Sequence, residues 1–249
     1  MATGNLQTQD RILQTPGIPP LRHGDRLSRE EFERLYEAMP GVTKAELIEG
    51  RVHMPSPVRV KNHGDPHHDI GTWLGVYKAF TLGVSGSDNA SVRLDTTNEP
   101  QPDIHLRIDE SHGGQARISP DDYLEGAPEL VAEISASSAS HDLRGKKEAY
   151  HRNGVREYIV WSVYDREINW FSLENDQYVS LDPDDDGVIR SRVFPGLWLD
   201  VAALLKDDMA TVLTVLQQGL ASEEHAAFVN HLNEVEMSIA QVHGAITEA

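Results

Sequence analysis

Residues 128–163 read PELVAEISASSASHDLRGKKEAYHRNGVREYIVWSV. Leu130–Ser135 is a short apolar run of the kind that forms a buried strand. Residues 140–152 have helical character, and Asn153-Gly154 ends them. Glu157–Val163 and Ile168–Leu173 follow as two adjacent strands, with a weaker one at Tyr178–Leu181. This order of elements predicts an α/β domain. Upstream, LSREEFERLYEAM predicts a helix: Ser28 and Glu31 form a capping box, and Phe32, Leu35 and Met39 fall at helical spacing. Leu47 and Val52 around Glu49-Gly50 predict a hairpin, and residues 65–81 carry the helical stripe Ile70, Trp73, Leu74, Tyr77 and Phe80. Short strands are expected at Ser91–Asp95 and Asp103–Ile108, and DESHGGQARISPDD reads as a loop.

The chain has 249 residues, 39% of them hydrophobic and 25% charged, enough for one domain with a full core. The expected division is an N-terminal arm over residues 1–27, flexible or loosely docked, a domain over 28–205 and a helical extension over 206–249. Without cysteine there are no disulfides and no thiolate sites. No apolar run reaches the ~18 residues of a membrane span, and the N-terminus lacks a signal-peptide core, so a cytoplasmic protein is expected. The net charge of −18 argues against tight non-specific binding to nucleic acid, which needs a basic surface at least locally.

Beyond Ser222, the residues Phe228, Leu232, Val235, Ile239, Val242 and Ile246 recur at heptad-like spacing. The seam can pack on the chain's own domain or form a homodimer helix over residues 222–249. The acidic loop DPDDDG lacks the terminal glutamate of a calcium loop and reads as a solvated turn.

Three local signals carry chemistry. Pro102-Asp103 leads a strand, Glu133 interrupts the apolar run VAEIS, and Lys146 and Lys147 lie on the next helix. A buried glutamate needs an ion pair or a metal; on an edge strand it would simply face water. Carboxylates that hold a divalent cation, with a lysine beside the attacking water, are the parts of metal-assisted phosphodiester hydrolysis. Lys146 and Lys147 flank the helix face marked by Leu143 and Tyr150, each roughly 50° from its centre, so geometry leaves both open.

PQPDIHLRI (100–108), PELVAEIS (128–135), DLRGKKEAYHRNGVREYIVW (142–161), FPGLWLD (194–200) and the opening AELIEGRVHMPSP (45–57) together resemble the Uma-two family of restriction-endonuclease-like proteins, in the PD-(D/E)XK nuclease superfamily. The resemblance implies a mixed β-sheet flanked by helices and a Mg²⁺- or Mn²⁺-dependent endonuclease acting on DNA. It implies Asp103 and Glu133 as metal-holding acidic residues and Glu46 as a third. Where the superfamily has a lysine two residues after the second acid, this chain has Ser135; the resemblance implies a displaced lysine, Lys146, in the spacing Asp142-x-x-x-Lys146-x-x-x-Tyr150.

The rival site is His63, His67 and His68, near Asp65 and Asp69. His63 and His67 have workable zinc spacing, but Pro66 between them places His63 ahead of the helix. The rival function is a catalytically inactive nuclease-fold protein used for binding or assembly. A nuclease is expected to wall its acidic centre with basic residues, with Arg51, Arg59, Lys61, Arg144 and Arg152 as candidates. If Asp103 and Glu133 converge, their repulsion calls for a proton or a cation, and Asp103→Asn is expected to raise stability without metal.

Overall fold

The structure is a computed structural model and describes residues 17–54, 58–136 and 141–247. In chain order the elements are α1 (Arg29–Glu37), β1 (Glu46–Ile48), β2 (Arg51–His53), a π turn (Val60–Gly64), α2 (Asp65–Ala79), β3 (Val84–Asp88), β4 (Val92–Arg93), β5 (Ile104–Ile108), β6 (Arg117–Ile118), β7 (Leu124–Glu125), β8 (Leu130–Ser135), α3 (His141–Arg152), β9 (Glu157–Ser162), β10 (Glu167–Glu174), β11 (Gln177–Ser180), β12 (Val188–Arg190), β13 (Trp198–Asp200), α4 (Val201–Leu204), α5 (Met209–Leu220) and α6 (Glu223–Thr247).

The main sheet has the order β11-β10-β9-β8-β5-β3. β8 and β9 run parallel because α3 carries the chain back between them; the other pairs are antiparallel. Both faces are covered. Leu130 and Ala132 of β8 join Ile70, Trp73, Leu74 and Tyr77 of α2 in the larger core, while Val131 packs with Tyr150 of α3 and Tyr158 of β9. Alternation along β8 therefore points Glu133 at α3. Since β8 lies between β5 and β9 with Glu133 only 4% exposed, the reading of Glu133 as an edge residue facing water is excluded.

β3, the polar edge strand VSGSD, has no counterpart among the sequence expectations, nor have β12 and β13. The β1–β2 hairpin turns at Glu49 and Gly50, both in the left-handed region (φ 54 and 66), as a two-residue hairpin requires. Residues 17–27 dock on this hairpin: Leu21 is buried, Gly24 N donates to Val52 O and Leu27 N to Gly50 O. Ser28 caps α1, accepting from Glu31 N. Among the described residues no helix is long and apolar enough to cross a membrane.

The C-terminal seam is used by the chain itself over its leading half. Leu232 is 2% exposed within the main core, the Phe228 ring meets Phe194 edge-on at 6.4 Å, and His225 bonds Thr81 Oγ1 at 2.9 Å. Phe228 and Leu232 thus do not face a second subunit; Met237 and Val242, further along α6, are exposed. Leu232→Ala should cost about 2–5 kcal/mol in urea unfolding, whereas Met237→Ala should change stability by less than about 0.5 kcal/mol. A Leu232→Ala protein of unchanged stability and altered oligomeric state would instead put the helix between subunits.

Candidate active site

Glu46, Asp103, Glu133 and Lys146, singled out in the sequence, line one open cleft of about 850 Å³ together with Lys44, His63, His67 and Asn89. Asp103 lies one step beyond the registered pair Ile104–Ala132, directly across the antiparallel ladder from Glu133. Directly opposed residues bring their Cβ atoms within about 5.5 Å on one face. Sheet register thus sets the two acids side by side although thirty positions separate them in sequence.

Glu133 is locked by α3. Its Oε1 accepts from Lys146 Nζ at 3.0 Å and from Tyr150 Oη at 2.7 Å. Lys146 and Tyr150, four residues apart, share one helix face. Lys146 Nζ also contacts Glu46 Oε1 at 2.8 Å, an oxygen that further accepts from Gln101 N at 2.8 Å. One ammonium therefore ties the hairpin, the central strand and α3 together. Burial pushes the Glu133 carboxyl up to about 7; Lys146 pulls against this, and the Asp103 and Glu46 charges reinforce it. Burial by itself would lower the Lys146 pKa, but Glu133, Glu46 and Asp103 hold it well above the usual lysine range, so it stays charged.

Asp103 has different partners. Oδ2 accepts from Ile134 N at 2.8 Å and lies 3.3 Å from His63 Nε2; Oδ1 lies 3.1 Å from Lys44 Nζ. Burial alone would raise its pKa. The His63 contact and the Lys44 and Lys146 charges outweigh burial and hold it well below the usual carboxylate range. The two acids are thus pushed in opposite directions by their surroundings. Asp103 is bound by Lys44, His63 and Ile134 N, so the expectation for Asp103→Asn reverses: without metal the substitution should destabilise.

Lys147 turns away and sits 3.2 Å above the Phe171 ring. His63 lies in the π turn, where His63 N and Gly64 N both donate to Arg59 O, and its ring stacks on His67 at 5.8 Å. His67 Nε2 meets Asp103 O at 3.0 Å, and His68 is exposed beside Asp69. Those histidines that reach the cleft thus converge on Asp103. None of the five expected basic residues lines the cleft: Lys61 pairs with Asp65, Arg152 with Glu49, and Arg51, Arg59 and Arg144 are exposed. Among the described residues the lysines and arginines that line the cleft are Lys44 and Lys146. Lys44 and the Asp103-facing role of His63 carried no sequence signal, whereas Tyr150 stood in the spacing that marked Lys146.

Among the described residues no three acidic or histidine side chains converge closely enough to hold an ion as they stand, because the Lys146 ammonium fills the gap between Glu133 and Glu46. Asp103 and Glu133 still suit magnesium, which keeps several waters and takes only one or two protein carboxylates. Removing Lys146 leaves two buried carboxylates without their cation. Lys146→Met should cost about 3–5 kcal/mol in urea unfolding, and adding Glu133→Gln should restore part of it. Strictly additive losses would mean that the two side chains are uncoupled.

The sequence profile of the Uma2 family, described as "putative restriction endonuclease", matches residues 29–202. A solved structure from Anabaena variabilis, titled a "putative nuclease belonging to DUF820", shares the fold with a TM-score of 0.51 at 11% identity, covering 76% of this chain and 99% of its own. No curated protein matches the chain. The profile spans the hairpin, the sheet and α3, so every acid of the cleft lies inside it: the chain belongs to the Uma2 family, with the restriction-endonuclease-like fold that its sequence implied.

Proposed function

We propose that this protein is a metal-dependent endonuclease that hydrolyses phosphodiester bonds in DNA, with Asp103 and Glu133 as the magnesium- or manganese-holding carboxylates and Lys146 as the lysine of the site. One observation carries this reading: two opposed acids on adjacent strands sit in an open cleft, with a lysine bonded to one of them. Family membership supports nuclease chemistry in general.

Each residue then has a defined task. Asp103 presents a carboxylate that Ile134 N and His63 fix in one rotamer. Glu133 is held by Tyr150 and Lys146. Burial first, and then the Glu133 charge, keep the Tyr150 hydroxyl protonated as a donor. A divalent ion bound there would lower the pKa of its water and stabilise charge on the phosphate. The Lys146 ammonium, next to Glu133, can orient the attacking water and share its developing negative charge. Glu46, the third acid, spends its bonded oxygen on Lys146 and Gln101 N and thereby aims the lysine. Cytoplasmic DNA is the natural substrate of such a protein.

The second reading, a catalytically inactive nuclease-fold protein for binding or assembly, also has an observation in its favour: Lys44 and Lys146 already offset most of the cleft's acidic charge. Metal titration separates the two. An ion bound only by the folded form adds about 2.7 kcal/mol at a hundredfold excess over Kd. The wild-type Tm should therefore rise with Mg²⁺ or Mn²⁺, and Asp103→Asn should blunt that rise. In a plasmid-nicking assay with either ion, Glu133→Ala should lose activity. Lys146→Ala should lose it too while keeping its metal response. A flat metal titration together with equal nicking by wild type and Glu133→Ala would favour the inactive protein.

A further inference from the structure

The cleft contains two lysines in unlike surroundings. Lys146 is 9% exposed and lies between two carboxylates, Glu46 at 2.8 Å and Glu133 at 3.0 Å. Held between two buried carboxylates, its ammonium cannot swing towards a substrate without leaving them, which is costly, and only its third donor is left for the attacking water. Lys44 lies ahead of β1, is 23% exposed and lines the same cleft. Its Nζ faces one carboxylate oxygen, Asp103 Oδ1 at 3.1 Å, and one neutral amide oxygen, Asn89 Oδ1 at 3.0 Å. A lysine ammonium has three donors, so one remains for the cleft after those two bonds. Both histidines of the cleft turn a ring nitrogen to Asp103 instead, His63 Nε2 to Oδ2 and His67 Nε2 to the backbone O.

We propose that Lys44 is the residue that contacts the phosphate of the bound nucleic acid, while Lys146 serves the acidic centre. This rests on the nuclease reading above and adds to it a substrate-binding residue and a division of labour between the lysines. Asn89 holds Lys44 as a second partner beside Asp103. With φ 50 it sits in the left-handed region, where asparagine is among the few non-glycine residues at ease, and its backbone N–H is tied to Pro102 O at 3.1 Å. The Lys44 ammonium is therefore fixed beside Asp103, within reach of a phosphate that approaches the two acids. The overall charge of −18 makes such a local cation more important, because the rest of the surface gives phosphate little attraction.

The test is binding of a short fluorescein-labelled DNA duplex to the full-length protein in EDTA, followed by anisotropy over a range of KCl concentrations. Each phosphate contact contributes about 0.9 to the slope of log K against log salt. Lys44→Gln, which can keep the hydrogen bond to Asp103 but lacks the charge, should reduce the slope by about that amount and weaken binding several-fold. Lys44→Arg should keep the wild-type slope. Lys146→Met, judged on its folded fraction, should keep it as well. If Lys44→Gln does not fold, Lys44→Met supplies the same measurement. A wild-type slope in the charge-removing Lys44 variant, or a loss of slope in Lys146→Met instead, overturns this assignment and leaves the nuclease reading standing. A wild-type protein that does not bind the duplex at any salt concentration overturns both.

Discussion

A carboxylate in the middle of a strand that is buried on both faces has to be matched by a partner, and Glu133 is matched by the Lys146 ammonium and the Tyr150 hydroxyl. An unpaired buried charge costs several kcal/mol, a large part of the total stability of a domain. Much else follows from that match. α3 must cross the sheet with Lys146 and Tyr150 turned inward, and Tyr150 then fills the space over Val131 and Tyr158. Because Lys146 also needs Glu46, the β1–β2 hairpin is drawn over the end of α3. The hairpin in turn holds the segment carrying Asp103, through Leu47 paired with Glu99 and Glu46 bonded to Gln101 N. Register does the rest by setting Asp103 across from Glu133.

Other buried acids show how such a site differs from plain structural use of carboxylates. Glu157 accepts from Trp170 Nε1, Ser191 Oγ, Arg192 N and Val193 N, and so fixes the loop ahead of Phe194. Glu129 accepts from Ile108 N and Gln115 N and anchors the loop after β5. Among the described residues no lysine or arginine is bonded to either carboxylate, and neither lines the cleft. Burial raises both pKa values, Glu157 to about 7, against the pull of the donors around them. A raised pKa by itself therefore does not mark the candidate site. The mark is the combination of opposed acids, bonded cations and an open cleft.

The sequence reveals the parts of the structure that rest on periodicity. The stripe on α2, the apolar run of β8 and the hairpin turn at Glu49-Gly50 are local patterns, and each led to the right element. β3 was hidden because an edge strand with one covered face can be as polar as VSGSD. Asp103, Glu133 and Lys146 stood out because each breaks a local pattern or fits a family spacing. Lys44, by contrast, lies in a loop, and its meaning comes only from folding, which sets it against an aspartate 59 positions away. His63 was noticed for the wrong partner. Spacing paired it with His67, and the two rings do stack, but the polar target of both is Asp103.

The charge balance of the cleft bears on how metal and fold are coupled. Glu46, Asp103 and Glu133 face Lys44 and Lys146, so in fully ionised form the acids exceed the ammoniums by a single charge. A bare cluster of acids would depend on a cation to fold, as small metal-nucleated domains do. Here the lysines perform that neutralisation from within the chain, and the site can form before any ion arrives. An ion held there, as proposed, would compete with ammonium groups for the same carboxylate oxygens. That competition would weaken metal affinity, while the bonds to lysine keep Asp103 ionised and both acids oriented without an ion. Holding the acids ready at the expense of tight binding would suit the proposed site, whose ion would also need room for water and a substrate phosphate.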